Sequence, residues 1–156
     1  KYDNLLVVQT FSKSRSMAGA RLGFAIGSKA LIGDLNTLRY STNPYNINRM
    51  TAAAGVATLQ HGDDTAQNCR TIMENRAWTA NALADLGFTQ TDSKANFLFA
   101  AHPAIEGKKL YQELKNRGVL VRHFDKERIS PYVRITVGTR EQMETLIEKI
   151  KEILEA

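Results

Sequence analysis

Residues 10–27 read TFSKSRSMAGARLGFAIG and come directly after a short apolar run, LLVVQ (5–9). Such a run reads as a strand covered on both faces, delivering its last residues into a loop. Within ten positions of Lys13 the chain then places Gly19, Arg21 and Gly23, and RLGFAIG (21–27) reads as a second strand bounded by glycine. A lysine at the end of a buried strand is costly, because an ammonium resists desolvation unless it is neutralised, paired or covalently modified. An amine that forms an imine must be unprotonated, and a free lysine has a reference pKa of about 10.4. Desolvation, or a neighbouring cation such as Arg15 or Arg21, favours the reactive form. Thr10 and Ser12 add hydroxyls, and Arg21 follows Lys13 by eight positions. With glycines that admit close backbone approach, these groups make a cradle for a phosphate monoester. Taken alone, SKSRS also reads as a solvated basic loop with glycines marking turns, since short patterns of this kind are common.

Composition bounds the alternatives. At 156 residues and 43% hydrophobic content, the chain can bury one sizeable core and has ordinary globular usage. Its formal charge of +5 comes from lysines and arginines scattered among 16 acidic residues. Without a long basic block, small anionic ligands are better partners than nucleic acid. A single cysteine, Cys69, leaves no internal disulfide and fits a reducing, cytoplasmic setting. No apolar run approaches the length of a membrane span. The chain starts at Lys1 and is inside a core strand by Leu5, so it reads as the later part of something longer.

Further along, SKALIGDLNTLRY (28–40) offers Ser28 as an N-cap and Leu31, Ile32, Leu35 and Leu38 at helical spacing. NPYN (43–46) breaks that pattern at Pro44, and helix resumes from Asn48 to Gln60 before Gly62. Asp63 or Asp64 caps the longest helix, which runs to Leu86, is stopped by Gly87, and carries Ala66, Cys69, Ile72, Met73, Ala77, Ala80 and Leu83 on one face. Then come strand ANFLFA (95–100), helix from Glu106 to Arg117 closed by Gly118, strands VLVRHF (119–124) and YVRITVG (132–138), and a helix from Arg140. The final helix has a stripe of Met143, Leu146, Ile147, Ile150, Ile153 and Leu154. This order predicts an α+β layer with helices on one face of a small sheet. Alternation in YVRITVG puts Val133, Ile135 and Val137 on one face, with Arg134 and Thr136 on the other. Alone, Arg134 and Arg122 read as solvated edge arginines, and Tyr45 beside Pro44 reads as a packed loop aromatic. His61, His102 and His123 have no metal-ligand spacing and are assigned no chemistry. Trp78 reads as packing, and Cys69 as a buried small hydrophobe.

An aldehyde-bearing phosphorylated cofactor would satisfy both Lys13 and the cradle, and pyridoxal 5′-phosphate is the obvious one. T-x-S-K, with A-G-x-R-x-G-x-x-I-G beginning five residues after the lysine, resembles the cofactor-lysine segment of fold-type I pyridoxal-phosphate aminotransferases. In detail it is similar to the histidinol-phosphate aminotransferase group. NPYNIN (43–48), SKANFLFA (93–100), RGVLVRHF (117–124) and YVRITVGTREQ (132–142) resemble later segments of that family, in the same order. The resemblance implies an α/β chain in which residues 1–62 end a large cofactor-binding domain and residues 63–156 form the small C-terminal α+β domain. It makes Lys13 the lysine that holds the cofactor covalently and then moves the proton. Thr10, Ser12 and Arg21 match ligands of the cofactor phosphate, Arg134 the arginine that grips a substrate carboxylate, and Arg122 a second substrate-side arginine. Asn96 and Tyr45 match positions lining the active site, Tyr45 that of a partner subunit.

The activity so implied exchanges an amino group between L-histidinol phosphate and 2-oxoglutarate, in histidine biosynthesis. A broad aromatic aminotransferase and a threonine-phosphate decarboxylase share similar lysine loops, and a non-enzymatic α+β binding module is the alternative from another class. Implied partners are an amino acid or amino-alcohol phosphate, a 2-oxo acid and a second copy of the chain, with no nucleic acid and no membrane. Family members are considerably longer. Their N-terminal portion carries the aromatic that stacks on the cofactor ring, the carboxylate that pairs with its nitrogen and another part of the phosphate cup. This chain is therefore expected to hold an incomplete site that binds pyridoxal phosphate weakly or not at all, and to be inactive alone.

Overall fold

A computed structural model describes residues 2–156. The chain separates into two compact units, one ending at Asn68 and the other running Cys69–Ala156, the division falling inside a long helix.

In the first unit, β1 (Leu6–Thr10) and β2 (Gly23–Gly27) pair antiparallel, from Leu6 opposite Gly27 to Thr10 opposite Gly23. α1 (Lys29–Thr42) starts at Ser28, whose hydroxyl accepts from the Leu31 N–H at 3.4 Å. Residues 43–48, around Pro44, are irregular. α2 (Arg49–Gln60) is capped by Asn48, whose Oδ1 accepts from the Thr51 N–H at 2.9 Å. Its small residues allow close packing. A Cβ on Gly55 would lie 2.5 Å from Leu22 Cδ2, and the Thr51 hydroxyl reaches the Ala20 carbonyl at 3.5 Å. Phe11 is buried and meets Phe24 edge to face, with ring centroids 6.0 Å apart.

The apolar run predicts a β1 covered on both faces, yet among the described residues Val8 is 69% exposed and Leu5, Val7 and Ile26 are exposed with it. The ladder of the described residues has two strands only, and α1 buries no residue. An apolar run reports the burial a strand is suited to, and that cover is not supplied here.

α3 (Gly62–Asp85) crosses into the second unit. There β3 (Thr89–Gln90), β4 (Phe97–Ala101), β5 (Arg122–His123) and β6 (Val133–Thr136) form an antiparallel sheet in the order β3-β4-β6-β5. α4 (Gly107–Asn116) and α5 (Arg140–Leu154) complete it. α3 and α4 stop at Gly87 and Gly118, both at positive φ. One sheet face, with Leu98, Ala100, Val133 and Ile135, packs into a core with Leu83 of α3, Leu110 and Leu114 of α4, and the α5 stripe from Met143 to Ile153. Thr139 and Gln142 close a capping box at the start of α5.

The α3 reading needs correction. The helix begins at Gly62, ahead of Asp63 and Asp64, which occupy its first turn, where acidic charge complements the helix dipole. Its buried residues are Asn75, Thr79 and Leu83, whereas Ala66, Met73 and Ala77 are exposed. Burial of polar groups is tolerated because both are bonded: the Asn75 amide donates to the Gly138 carbonyl at 3.0 Å, and the Thr79 hydroxyl donates to the Asn75 carbonyl at 2.7 Å. β5 is shorter than the expected 119–124 strand, and β3 was not anticipated.

Candidate active site

Lys13 sits in the loop that joins β1 to β2, and backbone bonds fix its path. The Phe11 N–H donates to the Leu22 carbonyl at 3.0 Å, the Met17 N–H to the Phe11 carbonyl at 3.1 Å, and the Ser16 N–H to the Lys13 carbonyl at 3.0 Å. Two residues take left-handed backbone, Ser16 at φ 54° and Arg21 at φ 56°. Such conformations cost an L-residue free energy and persist where surrounding structure demands them. The Thr10 and Ser12 hydroxyl oxygens are 2.8 Å apart, the Ser12 N–H donates to Thr10 Oγ1 at 3.1 Å, and Arg21 Nη1 donates to the Ala18 carbonyl at 3.1 Å.

Thr10, Ser12 and Arg21 line one depression of about 440 Å³, with Gly23 beside them. A Cβ on Gly23 would stand 2.9 Å from the Gln9 carbonyl oxygen, so glycine there keeps the two strands in close register. The Thr10 hydroxyl donates to Ser12 Oγ, which leaves the Ser12 proton and the Arg21 guanidinium as donors on one hollow, the kind of set a phosphate monoester requires. The residues present therefore fit the phosphate end of pyridoxal phosphate. Lys13 differs from expectation: it is exposed, because the strand that delivers it is itself uncovered. Arg15 lies over the Phe11 ring at 4.9 Å with its Nε buried. Tyr45 is 84% exposed, in the irregular segment before α2.

The second unit presents a different cluster. β6 lies between β4 and β5, so Arg134 is no edge residue, and it projects from the sheet face opposite the core. Arg122 is its direct partner across β5–β6, and Phe99 its direct partner across β4–β6. The Arg134 guanidinium stands 5.6 Å from the Phe97 ring centre and 5.8 Å from that of Phe124. Phe99 stacks on Tyr132 at 4.7 Å. Arg134 Nε is buried and has no hydrogen-bond partner among the described residues, and neither arginine forms an ion pair there. Two adjacent cations without carboxylates, set among rings, form a surface suited to an anion. Asn96 is exposed just before β4, and its carbonyl accepts from the Val137 N–H at 3.0 Å.

Sequence reasoning missed the rings around Arg134. The signal was present, because alternation in SKANFLFA puts Phe97 and Phe99 on the face away from Leu98 and Ala100. Two of the three histidines are used locally. His102 bonds the Leu86 carbonyl through Nε2 at 3.0 Å and accepts the Ala104 N–H at Nδ1, and His123 Nε2 bonds the Ser130 carbonyl at 2.8 Å.

The model of the aminotransferase class I and II family matches residues 1–150. The chain belongs to that family. It is 47% identical over 154 residues to the histidinol-phosphate aminotransferase of Brachyspira hyodysenteriae, covering 99% of this chain and 44% of that protein. To the protein of the same description from Clostridium beijerinckii it is also 47% identical, over 99% of this chain and 43% of that one. Among solved structures, a putative aminotransferase from Burkholderia pseudomallei matches with TM-score 0.82 at 27% identity, over 97% of this chain and 45% of that one. The histidinol-phosphate aminotransferase from Clostridium acetobutylicum shares the fold with TM-score 0.86 at 22% identity, over 99% of this chain and 47% of that one. This class I and II family chain thus spans less than half the length of the relatives it matches.

Proposed function

We propose that this chain carries the cofactor lysine and the substrate-anion arginines of a pyridoxal-phosphate-dependent aminotransferase acting on L-histidinol phosphate and 2-oxoglutarate. The observation that carries the reading is the convergence of Thr10, Ser12 and Arg21 on one depression along β1 and β2, beside the loop that bears Lys13, although Lys13 itself does not line it. The names of relatives at 47% identity support this choice of substrate. Residues 1–62 then end a large cofactor-binding domain and residues 63–156 form the small one, in a cytoplasmic homodimer to whose neighbouring site Tyr45 contributes.

Bound pyridoxal phosphate supplies an electron sink and carries the amino group between substrates. Arg21 would hold the phosphate through its planar fork, and the Ser12 hydroxyl, which accepts from Thr10, would have its own proton free for a phosphate oxygen. Lys13 Nζ would be the group that holds the cofactor covalently. As a free amine, Lys13 Nζ would take and hold the proton of the substrate carbon that bears nitrogen. Arg134 and Arg122 hold the anionic end of the substrate, the phosphate ester in one half-reaction and a 2-oxoglutarate carboxylate in the other, with Asn96 lining the site.

The test is chemical trapping. It uses the complete protein, with the part of the site this chain is expected to lack: that protein is incubated with pyridoxal phosphate or with pyridoxal, reduced with borohydride, and peptide-mapped. Lys13 should be modified ahead of the other lysines by the phosphorylated aldehyde and lose that preference with pyridoxal. Absence of a Lys13 adduct, or indifference to the phosphate, sinks the proposal. Amino donors with and without a phosphate ester, scored by how well each protects Lys13 from trapping, then select the substrate class.

A further inference from the structure

The register of β5 against β6 sets Arg122 opposite Arg134, and alternation places Phe124, two residues beyond Arg122, on the same face. The Phe124 ring centre lies 5.4 Å from the Arg122 guanidinium and 5.8 Å from that of Arg134. One ring thus serves two cations, while Phe97 flanks Arg134 from the other side at 5.6 Å. Two guanidiniums side by side repel each other, and a long side chain with no carboxylate partner samples many rotamers. An aromatic face offsets both effects, because its quadrupole attracts each cation and its plane restricts where each can rest. The buried Nε of Arg134 is the enclosed end of its fork, which leaves the terminal nitrogens to meet an anion.

We propose that Phe124 is a positioning residue, whose ring holds Arg122 and Arg134 at the mutual spacing that lets both grip one anionic group. The proposal rests on the reading of the two arginines as substrate-anion ligands. It assigns Phe124 an electrostatic task that an aliphatic side chain of similar volume cannot perform.

The experiment uses the isotope-labelled 156-residue chain, with the Nε–Hε signals of Arg122 and Arg134 followed by NMR during titration with inorganic phosphate. In the wild type, phosphate should move both signals. Phe124→Leu should shift both signals before phosphate is added, through loss of the ring current, and weaken phosphate binding about fivefold. Phe124→Tyr, which keeps the ring, should restore both readouts. A structural role alone would lower the melting temperature without this rescue pattern, so melting curves accompany each variant. Should Phe124→Leu fail to fold, Phe124→Met supplies the same ring-free comparison. If phosphate moves both signals in the wild type while a ring-free variant keeps the affinity within about twofold, or shifts only one arginine, the Phe124 assignment is wrong and the arginine reading stands. If phosphate moves neither signal in the wild type, the arginine reading fails and takes the Phe124 assignment with it.

Discussion

Replacement of Arg21 separates two effects that act at one position. Its backbone sits at φ 56°, ψ 38°, in left-handed territory. An L-residue there costs about 1–2 kcal/mol, which glycine avoids. Glycine's extra freedom in the unfolded chain costs it about 0.4–1 kcal/mol in return. Arg21→Gly should therefore be more stable than Arg21→Ala by roughly 0.5–1 kcal/mol, the reverse of the ordinary order. Both variants lose the same bond from Nη1 to the Ala18 carbonyl, so the difference isolates the backbone. Urea titration, read at the amide signals of β1 and β2, measures it within the first unit.

Function should respond in another way. Both variants lose the guanidinium, and with charge-assisted bonds worth about 1.5–3 kcal/mol each, the phosphate-dependent preference for trapping at Lys13 should fall about tenfold or more in both. Arg21→Lys keeps the charge and the backbone cost but loses the planar fork, so its stability should match the wild type while trapping falls to an intermediate level. A glycine variant less stable than the alanine variant would refute the strain argument. Equal trapping in wild type and both variants would refute the role of Arg21 in phosphate binding.

Two substitutions in glycine pull in opposite directions. A Cβ on Gly107, at the start of α4, would lie 2.6–2.8 Å from backbone atoms of Ser130 and Pro131, so Gly107→Ala should destabilise by about 1–3 kcal/mol despite a helix-propensity gain of at most about 1 kcal/mol; Gly33→Ala in α1 meets nothing within 4 Å and should stabilise by about 0.5–1 kcal/mol. Thermal melts check both, and a raised midpoint for Gly107→Ala would show that the loop yields freely. Asn75→Ala removes the donor to the Gly138 carbonyl and should cost the second unit about 1–3 kcal/mol in urea; a loss under about 0.5 kcal/mol would mean that bond contributes little.

Where local chemistry decides an element, it was legible in the chain. Ser28 starts α1 by accepting a backbone N–H as its place in the sequence predicts, and the α5 stripe from Met143 to Ile153 is buried as its spacing predicts; the caps at Asn48 and Thr139 act in the same way. Periodicity misled in α3 because it ranks residues by polarity, whereas Asn75 and Thr79 are buried with bonding partners, one of which, Gly138, lies far along the chain. The same limit applies to β1, whose apolar residues specify a covered strand that the described residues leave exposed. At the candidate site, Thr10, Ser12 and Arg21 were legible through a motif. The ring set around Arg134 was legible only in part: alternation groups Phe97 with Phe99 on one face, but that Arg122 and Phe99 flank Arg134 from either side depends on the register of β4, β6 and β5.

The two clusters are positioned by different physics, and this predicts where each is vulnerable. Arg134 is held by strand register: Val133, Ile135 and Val137 anchor β6 in the core, and their burial forces the residues between them outward. A slip of one residue would bury the guanidinium and expose the valines, so the core that stabilises the unit also fixes the arginine's direction. Softening that core with Ile135→Val should cost about 0.5–1.5 kcal/mol and leave phosphate contact at Arg134 intact, since the register survives. Lys13 itself has no such anchor. Beyond the buried Phe11 and the Arg15 packed on its ring, its loop is held by backbone hydrogen bonds and two left-handed residues, so a change at Ser16 or Arg21 should disturb trapping at Lys13 at little cost to the fold. A core substitution that abolished phosphate contact at Arg134 while the unit stayed folded would contradict this division, because it would show that side-chain packing sets the arginine's place independently of register.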